Sequence, residues 1–278
     1  MLSAFGYHLY ACGKKGMPGQ IAVGDGEYHL CEVLKHDFFA ATGLYKLNGQ
    51  SQSVQSSKAA KVILKIDRQQ HFLGLPLSWV GRILCRHEIF MLNFLGGLRG
   101  IPRFISCYGR NGFVYEYIEG KTLAQSSDLP DGFFDELFEL LEQIHRRNIS
   151  YLDFNKRGNI ICGADKKPYL IDFQISMRIG DRNLIWKRLS RNLRDILKRA
   201  DIYHLYKHKR QLCPDSLRPE EKQLSHCPGR WIRLHRVIAR PFKKLRRGLL
   251  KYLYSKGVIA PDKEGFVNVN KDSAALGE

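Results

Sequence analysis

Acidic residues are scarce in this chain, and the shortage narrows its possible partners. Lys and Arg number 45 against 27 Asp and Glu, giving a formal net charge of +18 and a pI near 9.7. Such a balance predicts an anionic partner: nucleic acid, an acidic membrane surface or a phosphorylated substrate. No Cys-x-x-Cys pair occurs among the seven cysteines. An odd count without paired spacing argues against a disulfide framework and for a reducing compartment. Cys213, His226 and Cys227 fit no common zinc spacing. No window approaches the roughly 20 apolar residues of a membrane span. The opening MLSAFGYHLYACG has no basic run before its short apolar stretch, so it is not read as a signal peptide, and Leu9–Cys12 is only a faint echo of a lipoprotein cleavage site. These absences predict a cytoplasmic protein. What is present is enough to fold: 44% of the 278 residues are hydrophobic, which suits one two-lobed domain or two small ones and excludes global disorder.

The stretch richest in chemistry runs from Ile149 to Ser176. It reads as two short apolar strands around a turn, with carboxylates at Asp153 and Asp172. Asp153 opens a polar turn that closes on Asn159. Asn159 leads into Ile160-Ile161, and after the turn at Gly163–Pro168, Tyr169-Leu170-Ile171 delivers Asp172. Phosphoryl transfer from a metal-bound nucleotide needs such a kit: one carboxylate to orient the acceptor hydroxyl, and an amide with a second carboxylate to hold Mg²⁺.

On those residues the stretch resembles the catalytic loop and metal-binding segment of the protein-kinase-like fold. The resemblance implies an α+β, two-lobed molecule, with a small antiparallel sheet and one long helix in the N-lobe and a mainly helical C-lobe. It implies ATP and Mg²⁺ as cofactors. Asp153 then orients the acceptor and takes its proton, and Asn159 and Asp172 carry the metals.

Earlier segments extend the likeness. AKVILKI, residues 60–66, is a buried-type strand with one charge in its apolar run, Lys65; a buried ammonium needs a partner. In the kinase pattern that lysine holds the α/β-phosphates and pairs with a glutamate on the next long helix. Residues 77–95 have helical periodicity, and Glu88 is their only acid. Taken singly, Lys65 reads as a snorkelling strand-end lysine and Glu88 as a solvated helix charge; the Lys-Glu-Asp-Asn-Asp order favours the pair. Residues 32–47 read as two strands joined at FAATG. The phosphate-covering G-x-G-x-x-G is missing and only Gly43 stands for it. FVYEYIEG resembles a kinase hinge, which makes Tyr115 the residue guarding the pocket and puts backbone groups near Glu116 and Ile118 on the adenine edge. Residues 131–147 form an amphipathic helix, with Asp131 at its cap and Phe134, Leu137, Leu140, Leu141 and Ile144 on its apolar face.

The departures are equally specific. Tyr151-Leu152 stands where His-Arg is usual, Asp172-Phe173-Gln174 replaces Asp-Phe-Gly, and no Ala-Pro-Glu follows. Asn159 comes six residues after Asp153, one more than the common pattern, so the turn must bulge. Over about residues 30–210 this is similar to the atypical branch, RIO kinases and the bacterial kinases of the Kdo/heptose core of lipopolysaccharide. Residues 184–209 read as a helix dense in Lys and Arg, from which Asp195 or Asp201, preferentially Asp201, braces the catalytic loop.

Trp231, Leu234, Ile238, Phe242, Leu245, Leu249 and Tyr252 repeat at helical steps among nine basic residues, with Pro241 as a kink. A basic amphipathic helix of this kind suits an anionic membrane, including peripheral contact with the inner face of the cytoplasmic membrane, or packs on the C-lobe with its charges in water. Nucleic acid ranks lower, because stacking aromatics interleaved with base-reading groups are absent. The expected layout is a flexible arm over 1–27, an N-lobe over 28–119, a C-lobe over 120–230, the basic helix over 231–257 and a disordered tail over 258–278. The expected function is an ATP- and Mg²⁺-dependent kinase acting on a hydroxyl of an anionic acceptor, a glycolipid such as a lipopolysaccharide-core-type sugar. The alternatives are an atypical serine/threonine protein kinase, and an adaptor that binds nucleotide or membrane without turnover.

Overall fold

The structure, a computed structural model, describes residues 10–48, 59–71, 76–126, 128–180 and 187–229, with Gly248 and Ser255. The expected basic helix, apart from those two residues, and the tail lie outside the described residues. The organisation is α+β and divides into two compact units. The first holds Met1–Arg86 and Ile105–Tyr115, and the second His87–Phe104 and Glu116–Ile238.

The first unit is built on a six-stranded sheet of order β1-β2-β3-β4-β6-β5. Its strands are β1 (Gln20–Val23), β2 (Gly26–His36), β3 (Ala40–Leu47), β4 (Lys61–Asp67), β5 (Phe104–Tyr108) and β6 (Gly112–Glu116). Ile21, Tyr28, Tyr45, Val62, Leu64 and Val114 form its core. β4 is buried along almost its whole length, as its unbroken apolar run predicts for a central strand. The first 27 residues are not a loose arm throughout. Gln20–Val23 pairs with Gly26–His29, and the glycine expected to loosen this region, Gly24, takes the left-handed φ of 57° that a two-residue hairpin turn requires.

The β2–β3 turn is also displaced from where the sequence places it. It falls at Asp37–Phe39, where one Asp37 oxygen accepts from the N–H groups of Phe39 (2.8 Å) and Ala40 (2.9 Å) and Lys35 pairs with the other at 3.0 Å. Gly43 is therefore a mid-strand residue, opposite Val33 and Leu64. A Cβ there would lie 2.9 Å from both Leu30 and Met17 and 3.1 Å from Tyr45. Its missing side chain makes room for apolar packing, so the expected phosphate-cradling role is corrected: that space is filled.

Helix α1 (Ser78–Leu95) gives its first half to the first unit and its second half to the second. The second unit continues with β7 (Gly120–Thr122), α2 (Phe133–Arg146), β8 (Ile149–Ser150), β9 (Ile160–Gly163), β10 (Pro168–Leu170), β11 (Met177–Arg178), α3 (Lys187–Leu212) and α4 (Pro219–His226). The expected apolar face of α2 is buried in full. Its cap is Gly132, at φ 75° with no side-chain cap bond, and not Asp131. The buried ammonium of Lys209 on α3 sits between Asp135 of α2 (3.1 Å) and Glu221 of α4 (2.9 Å), tying three helices together. An unpaired charge there would be costly, so the pairing fixes the helices' register. All seven cysteines are free. No described helix is long and apolar enough to cross a membrane.

Candidate active site

The chemistry of the second unit gathers at the open end of one hairpin. β9 and β10 pair antiparallel with Ile160 opposite Leu170. One step further Ile171 N–H donates to the Asn159 carbonyl at 3.0 Å. Asn159 is therefore held opposite Ile171, the residue immediately before Asp172, at the mouth of the hairpin. Asp153 comes from the loop between β8 and this hairpin. Its Oδ2 accepts from Asn159 Nδ2 and from Lys156 Nζ, both at 2.7 Å. Among the described residues no group donates to Oδ1, which is left as the acceptor oxygen.

The extra residue between Asp153 and Asn159 is absorbed by two consecutive turns. Lys156 N–H donates to the Asp153 carbonyl at 3.1 Å, and Asn159 N–H donates to the Lys156 carbonyl at 3.2 Å. The second of these is the 3₁₀ turn Arg157–Asn159. The bulge keeps the Asn159 amide within reach of Asp153 and aims Lys156 at the same oxygen.

The loop is strained and braced. Leu152 and Asp172 both adopt left-handed backbone, φ 67° and 62°. Such a conformation costs a non-glycine residue about 1–3 kcal/mol and persists only where its surroundings enforce it. Asp201 of α3 supplies the enforcement. Its fully buried carboxylate accepts from Tyr151 N–H and Leu152 N–H, both at 2.8 Å, and pairs with His145 Nε2 at 3.1 Å. Of the two candidates in the sequence, Asp201 is the one that holds the loop. His208 adds a second anchor. Its Nε2 donates to the Phe154 carbonyl at 2.7 Å while Nδ1 accepts from Arg157 Nε at 3.4 Å. Burial, reinforced by the nearby Arg157 and Lys207 charges, pushes its pKa down to about 4, so the ring is neutral and this tautomer is fixed.

Tyr151 joins loop to hairpin. Its hydroxyl donates to the Ile171 carbonyl, immediately before Asp172, and its ring meets those of Phe154 and Phe173 edge-on. The phenol is held well above its usual pKa by burial first, then by the negative charges of Asp172, Asp153 and Glu88. The three carboxylates thus converge on one buried ring. Glu88 is buried on the second half of α1, whose neighbour His87 bonds the Ser176 carbonyl at 2.8 Å. Asp153 itself is raised, by burial first and by Asp172, against the opposing pull of Lys156 and Asn159.

The structure thus brings Asp153, Asn159, Asp172 and Glu88 together in the second unit. Lys65 is a buried ammonium on β4 of the first, opposite Thr42. Tyr115 is buried at the end of β6. Glu116 donates its N–H to the Arg103 carbonyl at 2.9 Å and accepts the Arg103 N–H on its side chain at 3.1 Å. Ile118 is half-buried. Among the described residues no three His, Cys, Asp or Glu side chains form a metal cage. One carboxylate and one amide are too few for an all-protein site, and they suit a hard cation that keeps water and phosphate oxygens as its other ligands, as Mg²⁺ does.

Lys156, His145 and His208 were missed in the sequence. Only Lys156 leaves a local signal there, as the one cation between Asp153 and Arg157. No protein-family model matches the chain, and no curated protein does.

Proposed function

We propose that the protein is an ATP- and Mg²⁺-dependent phosphotransferase of kinase-like, two-lobed design, acting on an alcohol group. The observation that carries this reading is the hydrogen bond from the Asn159 amide to Asp153, with Asn159 held opposite Ile171, immediately before Asp172, at the mouth of the β9–β10 hairpin. Asp153 Oδ1 orients the acceptor hydroxyl and takes its proton; its raised pKa makes it a better base than a surface carboxylate. Lys156 and the Asn159 amide hold Oδ2 so that Oδ1 points one way. Asn159, through its amide oxygen, and Asp172 hold the cation. Lys65, the buried ammonium of β4, is the phosphate clamp in this reading. The bound Mg²⁺–nucleotide supplies the transferable phosphoryl group and spreads its charge; the protein supplies position and a fixed field.

Thermal shift of wild type and Asp172→Asn, with ATP plus Mg²⁺, ATP alone and buffer, tests the reading. A ligand well above its dissociation constant should stabilise the fold by about 2–4 kcal/mol. A Mg²⁺-dependent shift in wild type that disappears in Asp172→Asn is expected. No shift in either protein at millimolar ATP sinks the enzyme reading. It leaves the adaptor, which the packed surroundings of Gly43 favour because they remove the usual cover over the phosphates. Labelled ATP with lipid extract or with protein extract then separates a glycolipid acceptor from a protein one.

A further inference from the structure

The segment that follows Asp172 holds two large aliphatic side chains out in solvent. Phe173 and Ser176 face inward and are fully buried. Ser176 bonds the Phe173 carbonyl through both its N–H (3.2 Å) and its hydroxyl (2.6 Å), and His87 anchors the Ser176 carbonyl. The turn is therefore fixed from within, and that fixation sends Ile175 and Met177 outward, 50% and 44% exposed. β11, which carries Met177, pairs with β8, and β8 runs directly into Tyr151 and the Asp153 loop.

A band of positive charge lies next to this pair. The Arg194 guanidinium of α3 reaches the Ile179 carbonyl at 3.4 Å, so α3 passes beside the end of β11. Arg188, Arg191, Arg194, Lys198 and Arg199 fall within an arc of roughly 140° around α3, at about 100° per residue. Asp195 is the one acid in that arc. Lys198 and Arg194 stand one and two turns before Asp201, the brace of the catalytic loop, which is about 5 and 10 Å along the axis. Partial burial first, then Arg194, holds the Lys198 ammonium below its usual pKa, as expected where cations crowd. Exposed aliphatics beside a cationic arc match an anionic bilayer, where the one enters the headgroup boundary and the other meets phosphates. A nucleic acid would call instead for exposed stacking rings.

We propose that this face of the second unit, Ile175 and Met177 with the cationic arc of α3, docks on an anionic lipid surface and so presents Asp153 to an acceptor hydroxyl at headgroup level. The meaning of the acceptor rests on the phosphotransferase reading, whereas the docking stands without it. Its residues belong neither to the basic terminal segment nor to those proposed for catalysis.

The test is co-sedimentation of the full-length chain, without nucleotide, with phosphatidylcholine vesicles that contain phosphatidylglycerol and with vesicles of phosphatidylcholine alone. Wild type should partition onto the anionic vesicles only. Ile175→Asp/Met177→Asp and Arg191→Glu/Lys198→Glu should each weaken partition by roughly tenfold or more. Lys14→Glu/Lys15→Glu, with the same change in net charge as the Arg191/Lys198 pair but on two exposed lysines of the first unit, should stay within about twofold of wild type, because screening confines the effect to cations near the surface. Thermal midpoints matching wild type show that the variants fold. The proposal is overturned if wild type does not bind, or if both double variants behave like the Lys14/Lys15 control, which would assign binding to Trp231–Lys256. It is also overturned if the charge-reversed variant fails while the aspartate variant binds normally, or if soluble glycerol phosphate displaces the protein, since the contact would then be with headgroup charge alone. Because no nucleotide is present, loss of the kinase reading in the thermal-shift experiment leaves this result standing, and the reverse.

Discussion

Asp37 in the first unit and Asp153 in the second occupy matching surroundings and are pushed in opposite directions. Each sits in a tight turn, each pairs with a lysine, at 3.0 and 2.7 Å, and each accepts from amide N–H groups. Burial raises both. At Asp37, Lys35 and the N–H groups of Ala40 and Phe39 outweigh it, and the pKa falls below the usual carboxylate range. At Asp153 the donors crowd onto one oxygen and a second carboxylate, Asp172, adds repulsion, so the pKa stays raised. An aspartate whose turn satisfies both its oxygens is structural. One left with an open oxygen and a like charge nearby is set up to take a proton.

The largest effect expected from breaking this contrast is on turnover. Asp153→Ala should lower phosphoryl transfer from labelled ATP by about a thousandfold while leaving the Mg²⁺–ATP thermal shift intact; transfer at the wild-type rate would remove Asp153 from the chemistry. Asp37→Ala should leave transfer unchanged once the protein is folded. Next comes the brace. Asp201→Ala strips the acceptor from two strained N–H groups and from His145, and should cost about 3 kcal/mol in denaturant unfolding. A cost near zero would mean that the loop holds its left-handed residues unaided.

Stability separates the two turns by sign. Asp37→Ala should cost about 1–2 kcal/mol, as loss of a capping carboxylate does. The Asp37 contribution is fully present above the unfolded value of about 3.9 and is lost as pH falls through its depressed folded value. Asp153 runs the other way: its folded value lies above the unfolded one, so its ionisation costs stability, and the cost vanishes as pH falls through the folded value. Asp153→Asn should therefore melt at or slightly above the wild-type temperature at neutral pH; clear destabilisation would contradict the raised pKa. The smallest effect concerns Lys156. Since Lys156 pulls the Asp153 pKa down, Lys156→Met should move the acid limb of the pH–rate profile upward, and an unmoved limb would make the pair incidental.

Spacing made part of this legible. Asn159 and Asp172 flank a hairpin marked by two short apolar runs, and Asp201 is the preferred of two acids, Asp195 and Asp201, in a basic helix. The groups that tune Asp153 were not legible. Lys156 reaches it only because an extra residue forces a second turn, while His145 acts through Asp201, 56 residues away, and His208 reaches Phe154 across 54 residues, by contacts that carry no local pattern. Gly43 misled because a glycine in a strand can serve a neighbour's bulk as well as a ligand's approach. The same ambiguity hid β1, where Gly24 closes a hairpin.

The bond from Asp201 to the Tyr151 and Leu152 N–H groups spans about 50 residues of chain and sets the order in which the molecule can be made. A chain emerging from the ribosome presents β8, the loop and the β9–β10 hairpin long before α3 exists. Until α3 has docked, nothing compensates the left-handed Leu152, and the loop samples cheaper conformations. Competence is therefore acquired late and all at once, when a distant helix arrives. A nascent chain cut short of residue 201 should contain every proposed catalytic side chain and still have no assembled site.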